Sequence, residues 1–287
     1  MRGHPNHPPV LNSNSRSTAG VVKSKVSAVD SLQDNVGVSI VIPAFNEEER
    51  LPGTLERFIS AMEQTRIDFE FIVVSDGNKD KTADIARGFS HRRVTVLEFS
   101  ERLGKGGAIK AGVDAAKFDY VGFMDADGPV LPQDLFQILE KLTSYDCVIA
   151  SRWVDGAQLV VPQPKSRIVL SRGWNALVRS LFRLPLKDTQ CGVKFFKRSL
   201  SMPVLRAVMI TNWAFDIALL YHFRKMGHTI TEIPVTWSDS PGSRLKVWRD
   251  VPIMFMSLIA VRFINSPFGA KMPKEIVNWF SAVVDSA

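Results

Sequence analysis

Four short stretches of this 287-residue chain hold the residue types from which anion and metal chemistry is built. Met124-Asp125-Ala126-Asp127-Gly128 sets two carboxylates two positions apart. Among 18 aspartates about one such spacing is expected by chance, so its weight comes from its place at the end of an apolar run. Carboxylates there are costly to bury unless they hold a cation, and hard oxygen donors suit Mg²⁺ or Mn²⁺ bridging a diphosphate. LGKGGAIKAG, from Leu103 to Gly112, opens a helix with glycines and Lys105, a composition that lets backbone and ammonium approach a phosphate. It is neither a Walker loop nor a clean dinucleotide fingerprint. In Ser75-Asp76-Gly77-Asn78, the Asp76 carboxylate could accept from a nucleobase N–H while Gly77 allows a tight turn. In that stretch and in Pro43-Ala44-Phe45-Asn46, the residues Asn46 and Asn78 equally suit turn starts or helix caps, and Glu47 to Glu49 favour a helix N-terminus.

These stretches must be held by something, and from Gly37 onward β-branched runs alternate with helical periods. That alternation predicts parallel βαβ units with buried strands at 38–43, 69–75, 94–99, 120–124 and 147–151. Leu51, Leu55, Phe58, Ile59 and Met62 recur at helical spacing, as do Leu135, Phe136, Ile138, Leu139 and Leu142. In a doubly wound sheet ligands bind outside the carboxyl ends of the strands, where all four stretches fall.

A content of 45% hydrophobic and 23% charged residues excludes a mainly disordered or fibrous chain. Cys147 and Cys191 lie far apart without metal-type spacing, which supports neither a disulfide framework nor a zinc site and makes a reducing compartment the default. The net charge of +7 is unevenly spread: −4 over residues 1–150, +13 over 151–274 and −2 over 275–287. The second part therefore faces anions, whether nucleic acid, lipid phosphate, nucleotide or membrane. Residues 1–35, rich in Pro, Asn and Ser, read as a disordered tail. The apolar stretch 251–264 is about 14 residues long and contains Arg262, too short to span a bilayer; it suits a helix in the membrane interface or one packed on the core.

VIPAFNEEERL, VVSDGNKDKT, LGKGGAIKAG and FMDADG, in this order on successive strand ends, resemble the family 2 glycosyltransferases of the GT-A fold. Ser151-Arg152, then Asp188-Thr189-Gln190-Cys191-Gly192, then Asn212-Trp213-Ala214-Phe215-Asp216 and Trp237-Ser238-Asp239-Ser240-Pro241-Gly242-Ser243-Arg244 look like its polyprenyl-phosphate branch, especially the dolichyl-phosphate glucosyltransferases. The resemblance covers about residues 37–264. It implies an α/β, Rossmann-like, doubly wound and mostly parallel sheet with a C-terminal interfacial amphipathic helix. The domain would span 36–245, with a nucleotide half (36–151) and an acceptor half (152–245), followed by a helical, membrane-surface segment at 246–287.

By the same resemblance Pro43, Ala44, Phe45, Glu47 and Asp76 line the nucleobase and ribose pocket, and Lys105 helps to hold it. Asp125, Ala126 and Asp127 sit at the metal and diphosphate. Arg152, Arg167, Ser171, Gln190 and Arg244 approach the acceptor phosphate, while Asp188 to Gly192 and Trp213 to Asp216 close the sugar pocket. Asp125, Asp127, Arg152, Asp188 and Asp216 form the implied catalytic set. The implied activity is that of a metal-dependent inverting hexosyltransferase, using Mg²⁺ or Mn²⁺ to move glucose from UDP-glucose to dolichyl or polyprenyl phosphate. The alternatives are a dolichyl-phosphate mannose synthase using GDP-mannose, or a family 2 glycosyltransferase with a different acceptor. Its place would be the cytoplasmic face of a membrane, peripherally on an anionic surface, with an anchoring partner or homo-oligomer left open and no nucleic-acid partner.

Three departures bear on that inference. Ser75 replaces the first Asp of the family's usual pair, leaving Asp76 as the acid for the base. Pro129 and Val130 stand where mannose synthases place a Gln in the metal shell. Pro241-Gly242-Ser243-Arg244 lacks the Arg that mannose synthases carry before Ser243, which leans the donor towards UDP-glucose. An acceptor phosphate has a second pKa near 6 and is largely anionic at pH 7, so a general base is hardly needed. His4, His7, His91, His222 and His228 accordingly all lie outside the motifs.

Overall fold

The computed structural model describes residues 36–160, 165–212, 214–238, 247–266, 268–273, 275 and 276, with 165–167, 247–250 and 270 described by backbone alone. The tail 1–35, Trp213, the stretch 239–244 with Arg244, the end of the C-terminal segment at 277–287 and the Arg167 side chain lie outside the described residues.

Strands β1 (Gly37–Ala44), β2 (Asp68–Asp76), β3 (Val94–Phe99), β4 (Tyr120–Met124) and β5 (Cys147–Ser151) fall within one residue of the β-branched runs. Between them lie helices α1 (Leu51–Met62), α2 (Thr82–Gly88), α3 (Gly104–Ala115) and α4 (Pro132–Leu142). The five apolar residues at helical spacing on α1 are wholly buried, and those on α4 nearly so. Each such side chain contributes about 1.5–3 kcal/mol of burial. After β5 come β6 (Gln158–Leu159), α5 (Lys165–Phe182), β7 (Val193–Lys197), α6 (Arg198–Ala207), α7 (Phe215–Lys225), β8 (Ile230–Pro234), β9 (Thr236–Trp237) and α8 (Val247–Ile264).

Seven strands form one sheet in the order β3-β2-β1-β4-β7-β5-β8. All neighbours are parallel except β7, which runs antiparallel to both β4 and β5. The sheet therefore crosses residue 152: β7 and β8, from the second half of the chain, complete it on both sides of β5. Gly122 in β4 makes room for this insertion, because a Cβ there would meet the Phe195 ring at 2.3 Å and the Lys194 carbonyl at 2.4 Å. Successive β1 residues feed opposite cores, Ile40 and Ile42 packing with α1 and α4, and Val41 with α3, α5, α7 and α8. Cys147 and Cys191 are buried free thiols, each pushed up to about 12 by burial.

The C-terminal helix differs from the amphipathic one expected. On α8 the inward residues Leu258, Ala260 and Val261 are buried in the second core, yet Phe255, Met256, Ile259 and Phe263 face outward and are exposed. Arg262 is its lone charged residue between 251 and 264, so the helix is apolar on both faces.

Candidate active site

The loops after β1 and β2 are sewn together by side chains. Asn46, in a left-handed turn with φ of 54°, donates its backbone N–H to Asn78 Oδ1 at 2.5 Å and accepts from the Lys79 N–H at 2.9 Å. Asn78 donates onward to Ser75 Oγ at 2.7 Å. Glu47 N–H donates to Thr82 Oγ1 at 2.8 Å, and Glu48 N–H to Asp80 Oδ2 at 3.2 Å. The two asparagines thus bridge the loops; the N-caps of α1 and α2 are Arg50 and Lys81, neither with a side-chain cap. Ser75, where the family has a carboxylate, serves this stitching.

Asp76 is 3% exposed and accepts the Leu103 N–H, with Arg102 Nε 3.8 Å from its other oxygen. Arg102 in turn lies over the Phe45 ring at 3.6 Å, a cation–π contact that covers the end of β1. Of the expected nucleotide-pocket residues, Phe45, Glu47 and Asp76 share this rim; Pro43 and Ala44 are the last residues of β1.

Asp125 follows β4 directly, its N–H donating to the Gly192 carbonyl at 3.1 Å. Its Oδ1 meets Lys105 Nζ at 2.9 Å. A Cβ on Gly192 would stand 1.8 Å from Asp125 Oδ2, so the carboxylate occupies a cradle that only glycine leaves open. Asp127 faces Arg50 at 3.9 Å, and Arg50 also holds Glu47 at 2.7 Å, linking the first and fourth loops. Burial and the nearby Asp125 charge raise the Asp127 carboxyl above its usual range. Two adjacent carboxylates that resist sharing negative charge are the donor set a cation relieves. No group of three or more His, Cys, Asp or Glu fit to hold a metal exists among the described residues. A divalent ion here would take Asp125 and Asp127 and complete its shell from water and ligand oxygens, the habit of Mg²⁺ at phosphate sites. The residues fit such an ion.

Lys105 stands in the first turn of α3, beside the carboxylates that follow β4. Its ammonium lies between Asp125 and Asp216, 3.4 Å from the latter. Burial opposes its charge, but those two carboxylates hold its pKa above the ordinary lysine value. Asp216, at the start of α7, also binds Lys194 at 2.6 Å. Lys194 is wholly buried in β7 and donates to the Cys191 carbonyl at 2.5 Å. Burial works against the Asp216 carboxylate, and Lys105 and Lys194 outweigh it, keeping its pKa low. Both ammonium groups lie 5.6 Å from the Phe123 ring centre. The glycines before and after Lys105 serve packing: Gly104 has φ of 73°, and a Cβ on Gly106 would strike Phe215 at 2.4 Å. Gly106 N–H donates to the Thr211 carbonyl at 2.8 Å, docking the Asn212–Asp216 segment on α3.

A second cluster surrounds Arg152. Its Nε and Nη2 grip the fully buried Asp188 at 2.7 and 2.8 Å, and its backbone N–H adds a third bond at 3.0 Å. Asp188 N–H donates to Glu232 Oε1 at 2.9 Å. Asn175 joins α5 to this segment, accepting from Thr189 N–H and Oγ1 and donating to the Ser171 carbonyl. Gln190 is half-buried in the same segment. Ser238 N–H donates to the Pro129 carbonyl at 2.9 Å, bringing the end of β9 to the loop that follows Asp127. Sequence reasoning missed Lys194, Asn175, Arg50 and Arg102, whose partners Asp216, Thr189, Asp127 and Asp76 lie elsewhere in the chain.

Residues 39–204 match the sequence profile of glycosyl transferase family 2. A dolichyl-phosphate beta-glucosyltransferase of Dictyostelium discoideum is 30% identical over 80% of this chain and 75% of its own. One of Drosophila melanogaster is 32% identical over 77% of this chain and 73% of its own. Glucosyl-3-phosphoglycerate synthase of Mycobacterium tuberculosis, solved with Mn²⁺ and UDP-glucose, superposes with a TM-score of 0.60 at 18% identity, covering 90% of this chain and 84% of that one. The carboxylates after β4, the sheet that carries them and these matches together make the protein a member of glycosyl transferase family 2 with the GT-A fold.

Proposed function

We propose that the protein transfers glucose from UDP-glucose to the phosphate of dolichol or a related polyprenol. One observation carries the reading: the Asp125–Asp127 pair beside the Lys105 ammonium occurs in a chain whose relatives, similar over about three quarters of both lengths, are dolichyl-phosphate beta-glucosyltransferases. In the reaction an acceptor phosphate oxygen forms a bond to the sugar C1 on the face opposite the leaving group. The C1–oxygen bond to UDP breaks with its electron pair, which inverts the anomeric centre. The acceptor arrives as an anion, so no proton must be removed. Mg²⁺ or Mn²⁺ on Asp125 and Asp127 would supply positive charge to the diphosphate. A protein of the same fold is known with UDP-glucose and Mn²⁺.

In this reading Pro43, Ala44, Phe45, Glu47 and Asp76 bind the nucleoside, and Asp188 to Gly192 with Asp216 shape the sugar pocket. Arg152, Arg167, Ser171, Gln190 and Arg244 receive the acceptor phosphate. Arg152 already has two fork nitrogens on Asp188, so its part is to fix the Asp188–Gly192 segment as much as to meet the acceptor. The nucleotide half (36–151) and acceptor half (152–245) share one sheet, and 246–287 attaches the protein peripherally at the cytoplasmic face of a membrane. Among the described residues no helix is long and apolar enough to cross one.

The test is a donor screen with Mg²⁺ or Mn²⁺, a short polyprenyl phosphate and each of UDP-glucose, GDP-mannose and UDP-N-acetylglucosamine, following lipid-linked sugar by mass. Product from UDP-glucose alone is expected. Product from GDP-mannose alone gives the mannose synthase reading, and no product from any donor overturns a lipid-phosphate acceptor. Asp127→Asn is expected to lower turnover about 10²-fold with its melting temperature unchanged. Wild-type turnover in that variant would remove the metal from the scheme.

A further inference from the structure

We infer that Lys105 is an exchangeable counterion: its ammonium covers the Asp125 oxygen that a divalent ion would take, and its transfer to Asp216 and a nucleotide diphosphate makes metal and nucleotide binding depend on each other. The inference deepens the preceding reading and rests on it for the two ligands, a divalent ion and a nucleoside diphosphate.

Geometry divides this cluster into fixed and movable members. Asp125 cannot turn aside: its N–H is tied to the Gly192 carbonyl, and its carboxylate fills the cradle over that glycine, where a Cβ would stand 1.8 Å from Oδ2. Asp216 is equally fixed. Its Oδ1 is bound by Lys194 Nζ at 2.6 Å, and Lys194 is itself sealed in β7 with a second bond to the Cys191 carbonyl. Lys105 is the member with room to move. Its side chain is 29% exposed, and its Nζ stands 2.9 Å from Asp125 Oδ1 and 3.4 Å from Asp216 Oδ2, between two anchored carboxylates. The flexible stem of a lysine lets its ammonium pass from one to the other without any shift of the backbone.

Charge says why that passage matters. Lys194 is fixed on Asp216, so Lys105 is the ammonium that balances Asp125. Asp127 faces Arg50 at 3.9 Å, a guanidinium already held by Glu47 at 2.7 Å. A divalent ion at the Asp125–Asp127 pair would meet the Lys105 ammonium on one of its ligand oxygens, and like charges so close repel strongly in a partly buried site. A diphosphate brings the anionic oxygens that draw an ammonium away from a carboxylate. Lys105 then clears Asp125 for the ion and adds a charge-assisted bond to the nucleotide. Because the coupling is a binding free energy, it works equally in both directions. Asp216 and Lys194 act as positioning residues in this exchange, the second berth that keeps the ammonium within reach.

The test is a Mn²⁺ titration of the full chain, followed by the EPR signal of unbound Mn²⁺, without nucleotide and with saturating UDP or GDP. Wild type is expected to bind Mn²⁺ weakly without nucleotide and about tenfold more tightly with UDP. Lys105→Met is expected to bind Mn²⁺ about tenfold more tightly than wild type without nucleotide, and to gain less from UDP. Lys105→Arg, which keeps a cation in place, should stay close to wild type without nucleotide. A merely structural lysine would not yield a variant that holds metal better than the parent. Unchanged or weaker Mn²⁺ binding by Lys105→Met without nucleotide overturns the exchange. So does wild-type protein that binds Mn²⁺ as tightly without UDP as with it, a result that needs no variant to fold. No sugar or lipid enters the titration, which separates this inference from the proposed reaction. A gain with GDP in place of UDP supports the exchange and overturns only the UDP donor.

Discussion

Four charged side chains meet where β4, β7, α3 and α7 converge, and their order decides which are available for chemistry. Lys194 is sealed in the interior and serves Asp216; Asp216 in turn holds Lys105, whose ammonium reaches Asp125. Lys194→Met would strip Asp216 of one of two cations in a dry setting, and breaking a buried pair on one side costs about 3–5 kcal/mol. Replacing both partners removes the stranded charge. Urea unfolding should therefore show Lys194→Met less stable than wild type by about 3 kcal/mol or more, and Lys194→Met/Asp216→Leu less impaired than the sum of its singles. Additive losses would mean the two groups act independently. Asp127 sits outside this chain of ion pairs, exposed enough to meet solvent, which is why its Asn variant should spare the fold and Lys194→Met should not.

At the scale of elements, α7 is nearly all interior: Phe215 to Leu220, His222 and Phe223 are buried. Burial, assisted by the Lys225 charge, pushes His222 down to about 4 from 6.5. The unfolded chain then binds a proton between those pH values that the folded chain refuses, so stability falls as pH drops through that window. Between pH 7 and 5 the contribution is about 2 kcal/mol. Denaturant titrations at the two pH values should show a smaller drop for His222→Gln than for wild type by about that amount; identical drops would mean His222 is solvated. The elements also show what was legible beforehand. Strands β1 to β5 and helices α1 and α4 could be drawn from sequence because most of the strands are continuously buried apolar runs, while burial on the helices repeats every 3.6 residues. β7 could not, since Lys194 and Lys197 bracket Phe195 and Phe196 and the pattern suggests a surface. Its antiparallel insertion depends on contacts with Gly122 and on the Lys194–Asp216 pair, neither of which is local in sequence. The candidate carboxylates were legible from their place after a buried strand, whereas their pairing with Gly192, Lys105 and Arg50 joins two other loops and the start of α3 and is not local in sequence.

Across the whole molecule, charge is divided by function more sharply than by structure. One sheet joins both halves, yet residues 1–150 carry −4 and residues 151–274 carry +13. Donor and acceptor are both anions, so each needs its own source of positive charge. In the proposed reaction the donor side would have a local source, a divalent ion on Asp125 and Asp127 with Lys105 alongside, and a site-bound charge is little affected by salt. On the acceptor side the proposed source is diffuse, the cationic excess of the second half meeting a charged membrane, where screening would act strongly: the Debye length falls from about 10 Å at 0.1 M to about 3 Å at 1 M. Turnover with polyprenyl phosphate embedded in anionic vesicles should accordingly fall about tenfold or more when NaCl is raised from about 0.1 to about 1 M. With a water-soluble short-chain acceptor the same change should cost less than about threefold, because no surface has to be found. Equal salt sensitivity for the two acceptors would place the dominant electrostatics inside the site. The +13 would then be a solvated surface without a part in delivering the lipid.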